Sequence, residues 1–268
     1  MRFIIHGGTL SRSLQSISSV VPSGRTMPIL LNFLMELKGE DLTVTASDLE
    51  TTITVKLNPG MVEQGSINRI AIPAKMFLEV VNSLSTQQIT IEVQEDFSVE
   101  ITAGTGKYKL VGEDPESYPV AMELEEPVLT TMSSSILVKA IGKTIFATGN
   151  SELRPQMSGV LCEQTESGTT FVATDAHKLV KYTRTDCKCD EPRSFILPKT
   201  PLGLLNKLLS SYKEEMDVKM ENNKENVRFT FENYTLISRL IDGKYPNYNM
   251  AIPENNPNKL IMDRTMLY

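Results

Sequence analysis

The residues that most suggest acid–base chemistry lie in the stretch FVATDAHKLVKY, from Phe171 to Tyr182. Asp175 and His177 are two positions apart, Thr174 precedes them, and His177 is one of only two histidines in the chain. On an extended segment alternate residues share a face, so the carboxylate and the imidazole could come into contact. A pair of this kind could transfer a proton in a hydrolase.

A structural turn is the competing interpretation of this stretch. An enzyme also needs a nucleophile or acceptor and a group that stabilises developing charge. The sequence has no nucleophile elbow and no Gly-rich phosphate loop, and the other histidine, His6, lies in the opening strand pattern. The similar stretch ASDLET has Asp48 but no histidine. An aspartate that caps a turn explains both stretches, and we therefore expect no enzymatic activity.

A metal site is the second chemistry to consider, because DCKCD places Cys187 and Cys189 close together. Cys162 or His177 could come near them, but structural zinc usually takes four nitrogen or sulfur ligands, often from C-x-x-C pairs. Without a second pair, a reduced surface loop is the better interpretation, and we expect no metal and no cofactor. Three cysteines outside any disulfide pattern favour a reducing cytoplasm.

Length and composition limit the remaining classes of function. A chain of 268 residues, 40% of them hydrophobic, can bury a real core and is long enough for about two domains. No apolar run approaches the roughly 18 to 20 residues of a membrane span, and the first residues lack the pattern of a signal peptide. A net charge of −6 argues against general coating by nucleic acid but permits a local basic face.

The chain contains the same pattern twice. The stretches LTVTASDLETTITV and TFVATDAHKLVKYT are alternating strand patterns interrupted by a small residue and an aspartate. IAIPAKMFLEVVNSL and FILPKTPLGLLNKLL each predict a strand, a proline and then a helix with apolar residues at three-to-four spacing. Two unrelated α+β domains are the alternative, but they would not keep three landmark pairs in register. These pairs are Asp48 and Asp175, Pro73 and Pro198, and Tyr118 and Tyr245.

The openings of the two copies also correspond. MRFIIHGGTLSRSLQSISSVV and EPVLTTMSSSILVKAIGKTIF each predict a strand, a turn and a helix, with serines at 133–135 able to cap the second helix. We therefore predict domains at residues 1–125 and 126–250. The tail KLIMDRTMLY repeats the opening pattern of strand, turn and helix start. Residues 251–268 are accordingly expected to begin a third copy that is incomplete here.

The order of these motifs resembles one known family. GRTMPIL, ASDLE, IPAK, ATDAHKL and DGKYPNY, together with the three-copy plan, resemble the bacterial DNA polymerase III beta subunits, the sliding clamps, over essentially the whole chain. The resemblance implies an α+β fold of tandem DNA-clamp domains, with helices on the inner face and antiparallel sheets on the outer face. It also implies two three-domain chains closed head to tail around duplex DNA. This chain is then expected to be truncated early in the third domain.

The resemblance assigns the opening stretch to a hydrophobic cleft between the second and third domains, where replication proteins insert a short peptide. Apolar and adaptable side chains such as Met157 and Leu179 suit a site with several partners. His177 is expected to bind rather than react, and family members often have Gly and Arg where this chain has Ala176 and Lys178. The matching positions are Met157, Thr174, Ala176, His177, Lys178, Leu179, Pro246 and Met250.

Basic residues on the predicted helices are the candidate DNA contacts. Lys139 and Lys143 are four residues apart and share a helix face, and the resemblance places Arg25 and Lys75 at positions that touch DNA in the family. A solvated surface charge is the alternative for each member. Acidic stretches such as VQEDFSVE and ELEEP fall on outer strands and the linker, which leaves a basic bore for sequence-independent phosphate contacts. The set comprises Arg12, Arg25, Lys75, Lys139, Lys143, Arg154, Lys199 and Lys207.

The resemblance also implies an interface between the first domain of one chain and the third domain of its partner. Met76, Val80 and Leu84 repeat every four residues and form a stripe along one helix. For Val80 and Leu84 a role in the core is the open alternative. Tyr108 and Leu110 are expected on a sheet edge that pairs with a strand of the partner.

The residues and the resemblance together predict a DNA polymerase processivity factor. The expected partners are duplex DNA, the alpha subunit of the replicative polymerase, the clamp loader, other proteins with clamp-binding motifs and, at full length, a second copy of the chain; no membrane is expected. The alternative is a repeat-domain scaffold that binds proteins without contacting DNA. Basic side chains on one concave helical surface would favour the clamp, and a buried nucleophile beside His177 would favour the hydrolase.

Overall fold

The two halves of the chain run through the same order of strands and helices. The computed structural model describes residues 1–24, 27–151 and 153–267. The first half contains β1 (Arg2–His6), α1 (Gly7–Ile17), β2 (Asn32–Lys38), β3 (Asp41–Ser47), β4 (Thr51–Leu57), β5 (Val62–Glu63), β6 (Arg69–Pro73), α2 (Ala74–Ser83), β7 (Gln88–Val93), β8 (Ser98–Ala103) and β9 (Gly106–Val111).

The second half repeats this order without a counterpart of the two-residue strand β5. It contains β10 (Val128–Ser133), α3 (Ser134–Thr144), β11 (Gly159–Thr165), β12 (Gly168–Thr174), β13 (Leu179–Arg184), β14 (Arg193–Pro198), α4 (Lys199–Ser210), β15 (Asp217–Asn222), β16 (Asn226–Phe231) and β17 (Tyr234–Arg239).

The order of strands within the sheets repeats as well. The first half forms β1-β7-β8-β9, with β5 on the other side of β1, and β4-β3-β2-β6. The second half forms β10-β15-β16-β17 and β13-β12-β11-β14, and all pairings are antiparallel. Two copies of one α+β domain were therefore predicted correctly from the repeated motifs.

One pairing joins the two halves. The last strand of the second half, β17, pairs with β4 of the first half, from Tyr234 opposite Val55 to Ser238 opposite Thr51. The result is a continuous eight-stranded sheet, β10-β15-β16-β17-β4-β3-β2-β6. The counterparts of these two strands in the repeat, β9 and β13, each lie at the end of a sheet.

The helices pack in two pairs, α1 with α2 and α3 with α4. Each helix has an apolar stripe, and on α1 the stripe of Leu10, Leu14 and Ile17 is fully buried. At the start of α3 the Ser133 side chain accepts a hydrogen bond from the Ser135 N–H, which confirms the predicted cap. The buried faces contribute to one apolar core that extends through both halves.

The tail departs from the expected pattern. A four-residue helix, α5 (Arg264–Leu267), forms near the predicted position, but residues 259–263 have no strand, and Leu260 and Ile261 are exposed. The reason lies in the repeat, because the opening strands β1 and β10 pair with β7 and β15, which follow much later in their units. Among the described residues no strand pairs with the tail in this way. Among the described residues, no helix has the length and apolar character to cross a bilayer.

Candidate peptide-binding cleft and nucleic-acid interface

The Asp175 carboxylate organises a turn between β12 and β13. Its Oδ1 accepts hydrogen bonds from the backbone N–H groups of His177 and Lys178, at 3.0 and 2.9 Å. In the first half, Asp48 Oδ1 accepts the equivalent bonds from Glu50 and Thr51, at 3.0 and 2.6 Å. The turn interpretation of both aspartates is confirmed.

Asp175 is not arranged as a general base. Its carboxylate also forms an ion pair with the Lys178 ammonium, and this hydrogen bond together with the two backbone bonds holds the pKa of Asp175 well below its usual range. His177 contributes its backbone N–H to the turn, while its side chain is exposed. In the part of the chain described, no hydrogen bond joins the imidazole to the carboxylate, so the turn is favoured over the hydrolase alternative.

The residue after each aspartate has left-handed backbone geometry. Leu49 has φ of 78° and Ala176 has φ of 77°. Ser47 Oγ and Thr174 Oγ1 accept hydrogen bonds from these two N–H groups, each at 3.2 Å. Such geometry costs a residue with a Cβ about 1 kcal/mol, and glycine escapes this cost. The cost explains why glycine suits the position that Ala176 occupies.

Three segments meet around this turn. Gly149 lies between the segment of Met157 and the turn of Asp175. Its N–H donates to Met157 O at 2.7 Å, and a Cβ added to Gly149 would lie 3.7 Å from the Asp175 Cα. The third segment contains Tyr245, whose hydroxyl accepts a hydrogen bond from the Thr174 N–H at 3.1 Å. Met157, the residues at 174–179 and the 245–246 pair therefore lie at one end of the second half.

The surface of this end is part apolar and part polar. Met157, Leu179 and Asp175 are half-buried and Thr174 is buried, whereas Ala176, His177, Lys178 and Pro246 are exposed. Met250 lies on the next short turn and is 85% exposed, so the described residues do not enclose it. The segments form an open shelf rather than a closed pocket.

Two tyrosines that sequence reasoning did not assign to the site support the shelf from below. Tyr245 and Tyr248 pack with Leu161, Val172 and Ile196 in a small apolar cluster. Burial raises the pKa of both tyrosines to about 12, so their hydroxyls stay protonated and donate or accept hydrogen bonds. The Tyr-Pro landmark shared by both copies was the available signal for Tyr245.

The Tyr248 hydroxyl donates to the Glu163 carboxylate. Above the ring of Tyr248, the Lys181 ammonium lies 5.2 Å from the centroid. These contacts hold the segment that follows Tyr245 against strands β11 and β13. The shelf is therefore attached to the second half by hydrogen bonds as well as by apolar packing.

The candidate DNA contacts lie on the helices or beside them. Lys139 and Lys143 are exposed on the face of α3 opposite to its buried residues, and the Lys143 ammonium lies 5.1 Å from the Tyr182 ring centroid. Lys199 is half-buried and donates to Asn150 Oδ1 at 3.1 Å, so its ammonium is less free to contact DNA than those of the other candidates. Arg25 lies outside the described residues. The remaining exposed members are Arg12 on α1, Lys75 on α2, Lys207 on α4 and Arg154 in the loop before β11.

The proposed interface residues divide between surface and core. Strand β9 is a sheet edge, as predicted, and Tyr108 on it is 37% exposed. Met76 is 54% exposed and Val80 is half-buried. Leu84 and Leu110, however, are 4% and 5% exposed and belong to the core. Leu84 follows the last residue of α2 and turns inward, so the surface prediction for these two leucines is corrected.

The cysteine loop lies at the surface, as predicted, except that Cys187 turns inward, and Cys162 lies outside the loop on β11. Cys162 is fully buried and Cys187 is 8% exposed, and both belong to the core. Burial raises the pKa of each thiol and keeps it protonated. Within residues 1–24, 27–151 and 153–267, no group of three or more His, Cys, Asp or Glu side chains is arranged to hold a metal ion.

Comparison with protein families finds two adjoining matches. Residues 1–123 match the model "DNA polymerase III beta subunit, N-terminal domain", and residues 131–247 match "DNA polymerase III beta subunit, central domain". The chain is 32% identical to the beta sliding clamp of Halalkalibacterium halodurans over 262 residues, which are 95% of this chain and 68% of that protein. It is 28% identical to the beta sliding clamp of Staphylococcus aureus over 273 residues, which cover all of this chain and 72% of that protein.

Solved structures show the same architecture. The DNA polymerase III subunit beta of Pseudomonas aeruginosa superposes with a TM-score of 0.89 at 26% identity, covering 96% of this chain and 69% of that one. The DNA polymerase sliding clamp of Bacillus subtilis gives a TM-score of 0.86 at 28% identity, covering 95% and 68%. The similarity extends over both repeats.

Proposed function

Because the chain belongs to the DNA polymerase III beta subunit family, we propose that it acts as a sliding clamp, a processivity factor that encircles duplex DNA and tethers the replicative polymerase. We expect no enzymatic activity. This function requires no catalytic group, and the Asp175 carboxylate is already committed to a turn and an ion pair. Retention on DNA would come from the topology of a ring rather than from affinity.

The pairing of β17 with β4 is the observation that best supports a ring. Strand β9 of the first unit corresponds to β17, and strand β13 of the second unit corresponds to β4, so each unit has one strand of each kind. The units join by pairing β17 of the second unit with β4 of the first. The unused edges are β9 on the first unit and β13 on the second. A third unit added at β13, and a second chain paired at β9, would close such a series head to tail. Residues 1–125 and 126–250 are then two of its domains, and residues 251–268 begin the third.

The surface residues near β9 fit the closing contact. Met76, Val80 and Tyr108 supply exposed or half-exposed apolar area beside the unpaired strand edge. Leu84 and Leu110 would support this surface from the core. In the full-length protein we expect a homodimer whose two interfaces resemble the junction between β17 and β4.

Duplex DNA would pass along the paired helices. Lys139 and Lys143 project from α3, and Lys75, Arg12 and Lys207 project from the other three long helices. Mobile ammonium and guanidinium groups bind phosphates without reading sequence, and this permits sliding. Arg25 and Arg154 belong to the same proposal.

The shelf around Asp175 would be one wall of the peptide-binding cleft. Met157 and Leu179 would offer a half-buried apolar floor, and His177 and Lys178 would offer polar edges, while Thr174, which is buried, would hold the turn in place. Ala176, Pro246 and Met250 would border it. The third domain would supply the opposite wall. Through this cleft the polymerase alpha subunit, the clamp loader and other proteins with clamp-binding motifs would bind in the cytoplasm.

A topological experiment tests this function. The full-length protein is loaded by its clamp loader onto a nicked circular plasmid and separated from free protein by gel filtration in high salt. A clamp should remain on the circle and leave when the plasmid is linearised. Equal retention on circular and linear DNA would contradict encirclement. Peptide binding without any retention on the circle would favour the protein-binding scaffold.

A further inference from the structure

The two units differ at one sheet edge, on the outer side of their opening strands. In the first unit, β5 pairs with β1, with Arg2 opposite Glu63 and Phe3 opposite Val62. Ile4 completes the contact by donating its N–H to Met61 O at 2.9 Å and accepting from the Gly60 N–H at 2.8 Å. In the second unit, β10 pairs with β15 alone and lies at the end of its sheet.

The hydrogen bonds between β10 and β15 determine which way the unpaired backbone groups of β10 point. The Ser134 N–H, just after the strand, donates to Met216 O on the β15 side at 2.8 Å. Because N–H groups alternate sides along a strand, those of Leu129 and Thr131 point away from β15. Thr131 corresponds to Ile4 in the repeat. Among the described residues no backbone group meets these outward N–H and C=O groups.

The connection that covers β1 takes another route in the second unit. Residues 58–68 lead from β4 to β6 and contribute β5, whereas the corresponding connection, 185–192, is shorter. The Cys187 carbonyl accepts a hydrogen bond from Thr169 Oγ1 at 2.8 Å, and the Cys189 N–H donates to Thr165 O at 3.1 Å. The segment is thus held against the hairpin of β11 and β12. Nothing in the described chain replaces β5.

The side chains buried behind the open edge of β10 are polar, whereas those at the corresponding positions of the first unit are apolar. In the first unit Phe3 and Leu37 are buried there, and Val62 packs against the same core. The repeat places Thr130 and Gln164 at the positions of Phe3 and Leu37. Both are buried, and Arg193 donates to each of them, to Gln164 Oε1 at 2.6 Å.

Several of these buried groups have no partner. Gln164 Nε2, Arg193 Nη1, Asn222 Oδ1 and Asn226 Oδ1 are inaccessible to solvent and make no hydrogen bond within the described part of the chain. Gln164, Asn222 and Asn226 are 0%, 6% and 8% exposed, so each is more than nine-tenths buried. An unpaired buried polar atom is destabilising, because it has lost its hydrogen bonds to water without gaining others. Two donors and two acceptors therefore remain without partners behind this edge.

Three of these four residues lie along a groove of about 1570 Å³. Val128 of β10, Arg193, Asn222 and Asn226 all line it. Six carboxylates and three basic side chains also line the groove, so its charge is negative. The carboxylates are Glu123, Glu125, Glu126, Glu163, Glu225 and Asp242, and the basic residues are Arg193, Lys224 and Lys244. Of the proposed cleft residues, only Pro246 borders this groove.

We propose that the outer edge of β10 and this acidic groove form a second peptide-binding site, which takes an extended basic segment of a partner protein as an added strand. The backbone of the segment would pair with Leu129 and Thr131, as β5 pairs with β1. Lysine or arginine side chains on the segment would meet the carboxylates of the groove.

The test uses the complete chain and a phage-displayed library of random linear peptides. We expect enrichment of peptides rich in Lys and Arg. Synthetic copies of these peptides should protect the amides of Leu129 and Thr131 from hydrogen exchange. Thr131→Pro removes an outward N–H and leaves the ladder to β15 intact, so it should weaken binding by about tenfold or more. Thr131→Val is the matched control and should bind like the parent chain.

A third variant separates this site from the proposed cleft. Met157→Glu should leave the binding of the selected peptides unchanged. Peptides that bind Thr131→Pro as tightly as the parent, or that leave the β10 amides unprotected, would overturn the proposal. Failure of the library to yield any peptide that prefers the parent chain over Thr131→Pro would do the same. Self-association of the chain that Thr131→Pro abolishes, without peptide binding, would assign the edge to a second copy instead.

Discussion

Asp48 and Asp175 accept the same pair of backbone hydrogen bonds, and the residues that follow them have the same left-handed geometry. The first of these residues is Leu49 and the second is Ala176, so neither copy uses glycine. Each unit therefore carries a small conformational cost at this turn. The cost is tolerated because the aspartate and the preceding hydroxyl fix the turn from both sides.

Ala176→Gly should remove this cost. We expect the free energy of unfolding to rise by about 1 kcal/mol, because a residue with a Cβ is disfavoured at positive φ. Leu49→Gly should act in the same direction. Ala251→Gly, on an exposed turn without positive φ, is the control and should be neutral or destabilising. Urea unfolding followed by circular dichroism measures all three, and an Ala176→Gly chain no more stable than its parent would contradict the argument.

The proposed cleft should depend on apolar contact more than on His177. Leu179→Glu or Met157→Glu would place an unpaired charge on a half-buried apolar surface and should abolish binding of a clamp-binding peptide. His177→Ala should weaken binding by no more than about tenfold, since one neutral hydrogen bond contributes about 0.5 to 1.5 kcal/mol. Calorimetry on the full-length protein gives these affinities.

Val120→Glu, at a residue that is 87% exposed in the linker, controls for the added charge. A peptide that still binds the Leu179 and Met157 variants would show that the cleft lies elsewhere. Loss of binding in the Val120 variant would show that charge alone, rather than its position, is responsible.

At the scale of elements, helix α3 presents Lys139 and Lys143 on one face and buries Leu137, Ala140 and Ile141 on the other. The separation follows from the helical repeat and needs no further contact to maintain it. A helix arranged in this way can hold charge toward DNA while its apolar face packs against α4. Function and stability are therefore assigned to different residues of the same helix.

Replacing Lys139 and Lys143 with alanine in the full-length protein should weaken duplex binding alike for unrelated sequences. The dependence of log affinity on log salt should become shallower by roughly 0.9 for each DNA phosphate that the variant no longer neutralises. Fluorescence anisotropy over a salt series measures the slope. Lys219→Ala, at an exposed residue of strand β15, is the control and should leave the slope unchanged. An unaltered slope in the α3 variant would remove these lysines from the DNA path.

The elements were largely predictable because each depends on local pattern. A proline stands directly before α2 and before α4, and apolar and polar residues alternate in β3 and β12. Both patterns can be recognised from consecutive residues. The predicted interface stripe on α2 was harder to assign, because apolar residues four positions apart occur both in a core and at an interface. Leu84 satisfies that spacing and is nevertheless buried. The ion pair of Asp175 with Lys178 also depends on side-chain direction, which spacing alone does not specify.

At the scale of the whole molecule, the join between units could not be read from either repeat. Strands β4 and β17 each resemble ordinary sheet strands, and only the folded chain shows that they pair. The shared core follows from this pairing. Leu236 of β17 lies opposite Ile53 of β4, and both are fully buried.

The two units should consequently unfold together. Leu236→Ala should destabilise the protein by about 2 to 5 kcal/mol and shift a single calorimetric transition to lower temperature. Leu129→Ala, at a residue that is 55% exposed, should change stability by no more than about 0.5 kcal/mol. Two separate transitions, with only one of them moved by Leu236→Ala, would show that the units are thermodynamically independent.

The join between β17 and β4 also has a mechanical consequence. Its hydrogen bonds are flanked by bonds from Lys56 N to Asn233 O at 2.8 Å and from Arg239 N to Glu50 O at 2.9 Å. Tension along the strands loads these bonds in parallel, and they must rupture together, whereas a junction between separate chains can yield by dissociation. In the proposed ring this join would act as a rigid link, and the gap through which DNA enters would open between chains instead.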